Sequence, residues 1–560
     1  MSERAKSQAE PNSFPAGSSR SQLEAIQSDP VQGKTIAEIF WQRLECSPTA
    51  RALVWFDQSG QRYDWNWQEL AQQVFGFCQH LKNHNVVAGD HVVLNSENRV
   101  EWILADLAMQ LLGVVNVPLH SQLSSSQTVQ LVEHCAPKLI CVSTDQQLAK
   151  VSGLGIPLIE FDSLDLQPLS DPVVVDGLKK EASSIGELDL MTILYTSGTT
   201  GEPKGVMLSQ RNVVSNVYAK LATLPLTEQD LRIGLLPLSH IFARVCDLYT
   251  WIASGCLTVL SRGWDSLWDE LIEFRPSYLN AVPYFFDKCW RILESDGQLD
   301  KPDALSKMLG GRTRILNCGG APLADHVFDY FDRHQVGLVT GYGLTETSPV
   351  ATSSRLGNCL KGSVGSAIPG VEIKLADDNE VLIRGDNVML GYYKDPAATA
   401  QAFHDDWFKT GDIGRIDEQG NLFIVGRKKE LIVTNGGKNI APIPIENAIT
   451  EHPDIEQCVV FGDRQNFLVA LIVLADPARR KYQQGQLDLK SIVDRQTREF
   501  SRDQQIGRLL VVDEPFSIDN GMLTPKKSMR RTEIFSRYQD AIAGLYSAQT
   551  NNSRDSVSAD

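Results

Sequence analysis

The stretch YTSGTTGEPKGV, Tyr195 to Val206, constrains the chain more than any other. Three glycines, a run of hydroxyls, one proline and one lysine within twelve residues cannot comfortably continue as helix or strand. That is the make-up of a loop that grips phosphate through backbone N–H groups and hydroxyls. A Walker A loop needs GxxxxGK followed directly by a hydroxyl that reaches magnesium. Counted from Gly198, the second glycine is Pro203 and the hydroxyl is Gly205, so the P-loop NTPase reading fails at two positions. What remains is a cradle of Thr196, Ser197, Gly198, Thr199, Thr200 and Gly201, with Lys204 as a point charge for an oligophosphate.

Two further loops share this character. GYGLTETSP, Gly341 to Pro349, contains Tyr342, Thr345 and the carboxylate Glu346. A nucleotide-bound magnesium ion takes one or two carboxylates and fills its shell with phosphate and water, which suits Glu346. WFKTGDIGRIDEQGNLFIVGRKKE holds Asp412 on a Thr-Gly-Asp turn, where an acidic side chain accepts from both ribose hydroxyls, and Arg427, which answers ribose or phosphate.

With 560 residues the chain exceeds one ordinary core, so at least two domains are expected. Hydrophobic residues at 42% and charged residues at 22% exclude a disordered or fibrous protein. A formal net charge of -16 argues against nucleic acid as a partner, so any anionic substrate must be met by local cations. Ten cysteines without a CxxC pair or zinc spacing read as reduced, mostly buried thiols of a cytoplasmic protein. Residues 1–33 are polar and read as a disordered arm without a secretory h-region or an amphipathic anchor. The most apolar run, ILADLAMQLLGVVNVPL, is too short to span a membrane and carries Asp106, leaving only peripheral membrane contact open. Helical patterns such as QELAQQVFGFCQHLKNH alternate with β-branched runs such as HVVLN and LTVLS, which predicts an α/β core with parallel sheets. The texture changes after Gly426. We expect one domain over 34–426, a compact second domain over 427–540 and a flexible tail over 541–560.

Together the three loops resemble the core motifs of the adenylate-forming superfamily, which includes acyl-CoA synthetases, peptide-synthetase adenylation domains and luciferases. The resemblance runs from about Ile36 to Arg531. It implies a large N-terminal domain of two βαβ-type sheets plus a small β-barrel, and a small mobile α+β lid. It also implies the chemistry: a carboxylate attacks the α-phosphate of MgATP to give an acyl adenylate and pyrophosphate, and a thiol then displaces AMP. Thr199, Thr200 and Lys204 would hold the β- and γ-phosphates within the Thr196, Ser197 and Gly198 cradle. Thr345 would face the α-phosphate, and Glu346 with Thr200 would serve magnesium. Adenine would lie against Gly319, Gly320 and Ala321 of NCGGAPL, close to Gly341 and Tyr342, with ribose at Asp412 and Arg427. Lys429 would be the hinge of the lid, and TNGGKNIAP, with Gly437 and Lys438, would line the pantetheine channel for CoA.

Substrate class is carried by LPLSHIFARV, which resembles the long-chain subgroup and puts His240 and Phe242 beside the expected acyl site, with His240 a gate or carboxylate neighbour. The aromatic passage YLNAVPYFFDKCW either walls an acyl tunnel or fills an ordinary core. The pattern breaks once. In NGMLTPKKSMRR the family's catalytic lysine position is Ser528. Alternation along an extended segment directs Lys526 to the same side as Ser528 and Lys527 away, so Lys526 is the expected replacement, with Lys527 second. The leading expectation is a long-chain fatty acid:CoA ligase. Its alternatives are an acyl-adenylate ligase serving a carrier protein and a non-catalytic nucleotide- or acyl-binding protein.

Overall fold

The computed structural model describes residues 35–196, 203–517, 519–523, 529–547 and 557–558. Two sheets organise the larger part of the chain. The first has nine strands in the order Ser366–Ala367, Val350–Ser353, Leu338–Gly343, Ile315–Cys318, Tyr278–Ala281, Leu231–Gly234, Leu257–Leu260, Arg51–Phe56 and Arg62–Asn66. Its central strands pair in parallel, as expected when helices connect them, and antiparallel strands finish both edges. The second has seven, in the order Gly391–Tyr392, Lys204–Ser209, Leu190–Thr196, Val115–Leu119, His91–Asn95, Leu139–Val142 and Leu158–Glu160. The expected small β-barrel is a five-stranded half-barrel sheet, Val371–Leu375, Glu380–Gly385, Phe403–His404, Trp407–Ile416 and Leu422–Arg427.

Capping boxes fix where the helices between the sheets begin. Thr35 with Glu38, Asn66 with Glu69 and Ser209 with Asn212 each exchange side-chain and backbone hydrogen bonds at an N-terminus. The apolar run that was too short for a membrane divides between the helix Val100–Leu111, buried on nearly every face in a core with Trp67 and Trp251, and the strand Val115–Leu119. Its Asp106 accepts from Arg244 at 2.7 Å and from Tyr249 at 2.8 Å, and Arg244 also donates to Thr192 at 2.8 Å. The segment Arg244–Tyr249 is π-helical, a form that recurs near functional sites. Among the described residues no helix is long and apolar enough to cross a membrane. All ten cysteines are free and eight are buried; burial pushes the Cys135 and Cys246 thiols up to about 12.

The smaller part has a hairpin of Ile432–Val433 with Asn439–Ile440, and a sheet of Ile455–Phe461, Leu468–Leu474, Ile506–Val511 and Val557–Ser558. Ordered packing runs past the expected boundary at 540, because the helix Gln539–Ser547 buries Ile542 and Leu545 against this sheet.

Candidate active site

The loop expected to hold phosphate connects two paired strands. The strands Leu190–Thr196 and Lys204–Ser209 pair antiparallel, with Thr196 opposite Lys204, so loop entrance and lysine are adjacent. Ser197, Gly198, Thr199 and Thr200 lie outside the described residues. The two-residue strand Gly391–Tyr392 lies on the outer edge of this stem, Tyr392 opposite Val206. Its ring lies under the Lys204 ammonium, 4.7 Å from Nζ to centroid, and its hydroxyl donates to Glu346 Oε1 at 3.0 Å. Lys204 and Glu346, far apart in sequence, are thus joined through a tyrosine that the sequence analysis did not select. Its signal was the tandem Tyr392–Tyr393 after Gly391, which by itself reads as core.

Glu346 lies in the 3-10 turn Thr345–Thr347 that follows the strand Leu338–Gly343. Gly343 is required there, since a Cβ would lie 1.7 Å from the Pro349 carbonyl oxygen. From the same strand Tyr342 donates to Asp412 Oδ2 at 2.5 Å, while Arg427 Nε holds Asp412 Oδ1 at 2.9 Å. The expected Thr-Gly-Asp turn is instead part of the strand Trp407–Ile416, bent by Gly411 at φ +71° and by a bulge after Ile413. Pairing of Asp412 with Arg427 across two adjacent strands is what brings these residues together. Asp412 is 3% exposed, and burial pushes its pKa up while Arg427 and Tyr342 pull it back. Tyr342 and Arg427 thus hold this carboxylate as a hydrogen-bond acceptor.

Gly319, Gly320 and Ala321 follow the strand Ile315–Cys318 as a shelf at its C-terminal end, where open α/β sheets bind ligands. A Cβ on Gly319 would lie 3.0 Å from Phe242 Cζ, and Gly320 has φ +87°. Phe242 therefore lies against Gly319. His240 is at the N-cap of the short helix Ile241–Ala243, its ring 5.6 Å from that of His120. Phe285 and Phe286 of the aromatic passage pack on Trp268 and Phe331 as core.

Lys429 lies in the turn Lys428–Glu430, where the half-barrel gives way to the smaller part. Its neighbour Lys428 reaches back to Asp378 at 2.5 Å and Glu380 at 2.7 Å. Gly437, at φ +72°, and Lys438 lie in the hairpin that ends at Ile440; Lys438 is ion-paired to Asp503, away from Lys204 and Glu346. Lys526, Lys527 and Ser528 lie outside the described residues. Their flanks are fixed: Leu523 bridges Met529, and Arg531 forms a bidentate pair with Glu446 at 2.5 and 2.9 Å. Among the described residues no three His, Cys, Asp or Glu side chains form a metal cluster. A lone Glu346 fits magnesium that arrives with a nucleotide, not a resident ion.

Two α/β sheets, a half-barrel and a smaller C-terminal part describe a nucleotide-dependent enzyme built in two parts. The pattern of the AMP-binding enzyme matches residues 40–393, and that of the AMP-binding enzyme C-terminal domain matches residues 429–550. The chain belongs to the AMP-binding enzyme family, within the adenylate-forming superfamily. It is 30% identical over 552 residues to the long-chain-fatty-acid–CoA ligase FadD15 of Mycobacterium bovis, covering 86% of this chain and 92% of the relative. It is 26% identical to the chloroplastic long-chain-fatty-acid–[acyl-carrier-protein] ligase AEE15 of Arabidopsis thaliana, covering 86% and 82%. In fold it resembles ATP-bound MatB from Rhodopseudomonas palustris, with a TM-score of 0.73 at 24% identity over 90% of this chain and 99% of that one.

Proposed function

We propose that this enzyme activates a long-chain fatty acid with MgATP and passes the acyl group to CoA. One carboxylate oxygen of the acid attacks the α-phosphorus, and the bond to the bridging oxygen of pyrophosphate breaks. The CoA sulfur then attacks the acyl carbon and AMP leaves. The observation that carries this reading is the joining of Lys204, Tyr392 and Glu346 beside a hairpin whose composition suits phosphate. The likeness to a long-chain-fatty-acid–CoA ligase over most of both chains supports the acyl class.

In this reading Lys204 and the Thr196–Thr200 cradle hold the β- and γ-phosphates and Thr345 faces the α-phosphate. Asp412 and Arg427 receive the ribose, and Gly319, Gly320 and Ala321 the base. Magnesium held at Glu346 would offset the charge that builds on the transferring phosphoryl oxygens. His240 and Phe242 border the acyl carboxylate, Lys526 supplies the charge that Ser528 cannot, and Lys429 is the pivot about which Gly437 and Lys438 swing to the thiol. Similarity to an acyl-carrier-protein ligase favours one second reading, transfer to a carrier protein.

Incubating the protein with MgATP and fatty acids of graded length, with and without CoA, and weighing the products separates the readings. Acyl-CoA supports the proposal. Acyl adenylate that persists despite CoA points to a protein acceptor, and absence of pyrophosphate overturns both.

A further inference from the structure

Tyr392 stands between the two charges that the proposed reaction needs apart. Its ring face takes the Lys204 ammonium at 4.7 Å and its hydroxyl donates to Glu346 at 3.0 Å. Among the described residues no ion pair joins Lys204 directly to Glu346. We propose that Tyr392 is a positioning residue, a spacer that holds the ammonium and the carboxylate on separate parts of one side chain until the nucleotide and its magnesium arrive. The inference rests on the roles given above to Lys204 and Glu346.

The reason is physical. A lysine has a long, flexible stem and a compact charge, and a carboxylate within its reach would draw it into an ion pair. Such a pair neutralises both groups, so MgATP would have to break it before gaining either contact. An aromatic face attracts the ammonium less than a carboxylate does and leaves its N–H donors able to turn to phosphate. A phenol donor satisfies one carboxylate oxygen without carrying charge away from it.

Tyr392 is also held as a spacer must be. It is 9% exposed, and its N–H donates to Thr399 Oγ1 at 2.8 Å. The next residue, Tyr393, donates its N–H to the Gly205 carbonyl at 2.7 Å, and Met389 N–H donates to the Glu346 carbonyl at 2.9 Å. The segment 389–393 is therefore fastened to the hairpin stem and to the Glu346 turn at once.

The test compares Tyr392→Phe, which keeps the face and loses the hydroxyl, with Tyr392→Leu, which loses both, and Tyr392→Trp, which keeps a face and an N–H. Pyrophosphate release is followed against MgATP and against free Mg²⁺, and melting temperature alongside. The spacer predicts that Tyr392→Leu raises KM for MgATP about tenfold and raises the Mg²⁺ needed for half-activity. Tyr392→Phe should shift chiefly the Mg²⁺ requirement, by about threefold, and Tyr392→Trp should recover most of the loss. A residue that merely packs would lower the melting temperature and leave the Mg²⁺ dependence as in the wild type, which overturns the proposal. If Tyr392→Leu does not fold, Tyr392→Phe decides by the Mg²⁺ shift alone. If the wild-type protein releases no pyrophosphate, the functional reading fails separately, and calorimetric MgATP affinity carries the same comparison among the variants.

Discussion

Asp412 is a carboxylate held against its own preference. Burial pushes its pKa up, so the folded state binds the proton more tightly than the unfolded chain does. Its contribution to stability is therefore greatest at low pH and is lost as pH rises through the folded value. Asp412→Asn should accordingly leave the melting temperature at pH 7 unchanged or higher. The same change removes an ionised acceptor, and hydrogen bonds to charged groups contribute about 1.5–3 kcal/mol, so affinity for AMP should fall about tenfold to a hundredfold. Calorimetry with AMP alongside thermal melts checks both. Lys204, Glu346 and Asp412 were visible in sequence as candidates because a charge inside a glycine-rich loop has few structural uses. Tyr392 was not, because its meaning depends on three segments meeting, and a buried aromatic in sequence looks like packing.

At the scale of elements, the run that begins at Ile103 was legible only as too short to span a membrane, and its Asp106 was not explained until Arg244 appeared opposite it. Removing one member of a buried pair leaves the other charge uncompensated. Asp106→Ala should cost about 3–5 kcal/mol, measured by denaturant unfolding. The strand that ends at the phosphate hairpin has a titratable neighbour: His134 Nδ1 lies 2.7 Å from the Tyr195 hydroxyl, and Lys394 Nζ donates to the His134 carbonyl at 2.8 Å. Burial, then the Lys394 charge, lowers the His134 pKa from its ordinary 6.5. The folded state thus binds this proton less tightly, so stability is intact above about pH 6.5 and falls as pH drops from there through the lower folded value. His134→Gln should flatten that part of the melting-temperature profile between about pH 5 and 7. The Thr-Gly-Asp segment shows what sequence pattern misses: Gly411 marks a bend either way, and only pairing with Leu422–Arg427 makes it a strand.

At the scale of the whole molecule, the lid was legible from the change of texture after Gly426, whereas its attachment was not. Lys428, which reads as a solvated basic residue, is tied to Asp378 and Glu380 of the half-barrel. Glu380 is 9% exposed, and its second oxygen accepts the Gly411 N–H at 3.0 Å, one residue before Asp412. Glu380→Gln keeps the Gly411 contact and weakens the hold on Lys428. The two half-reactions followed separately should then respond unequally, with their ratio shifted about threefold or more, while Asp378→Asn, at the more exposed partner, should do less. One carboxylate thus ties the turn Lys428–Glu430 to the strand that carries Asp412, the residue proposed for the ribose. Two events that share an equilibrium must influence each other by equal factors. A lid rotation that loosens the Lys428 tie would lower the affinity for AMP, and bound AMP would resist that rotation to the same extent. Such an enzyme would need no separate device for discharging its spent nucleotide, because the turn that admits the thiol would itself release it.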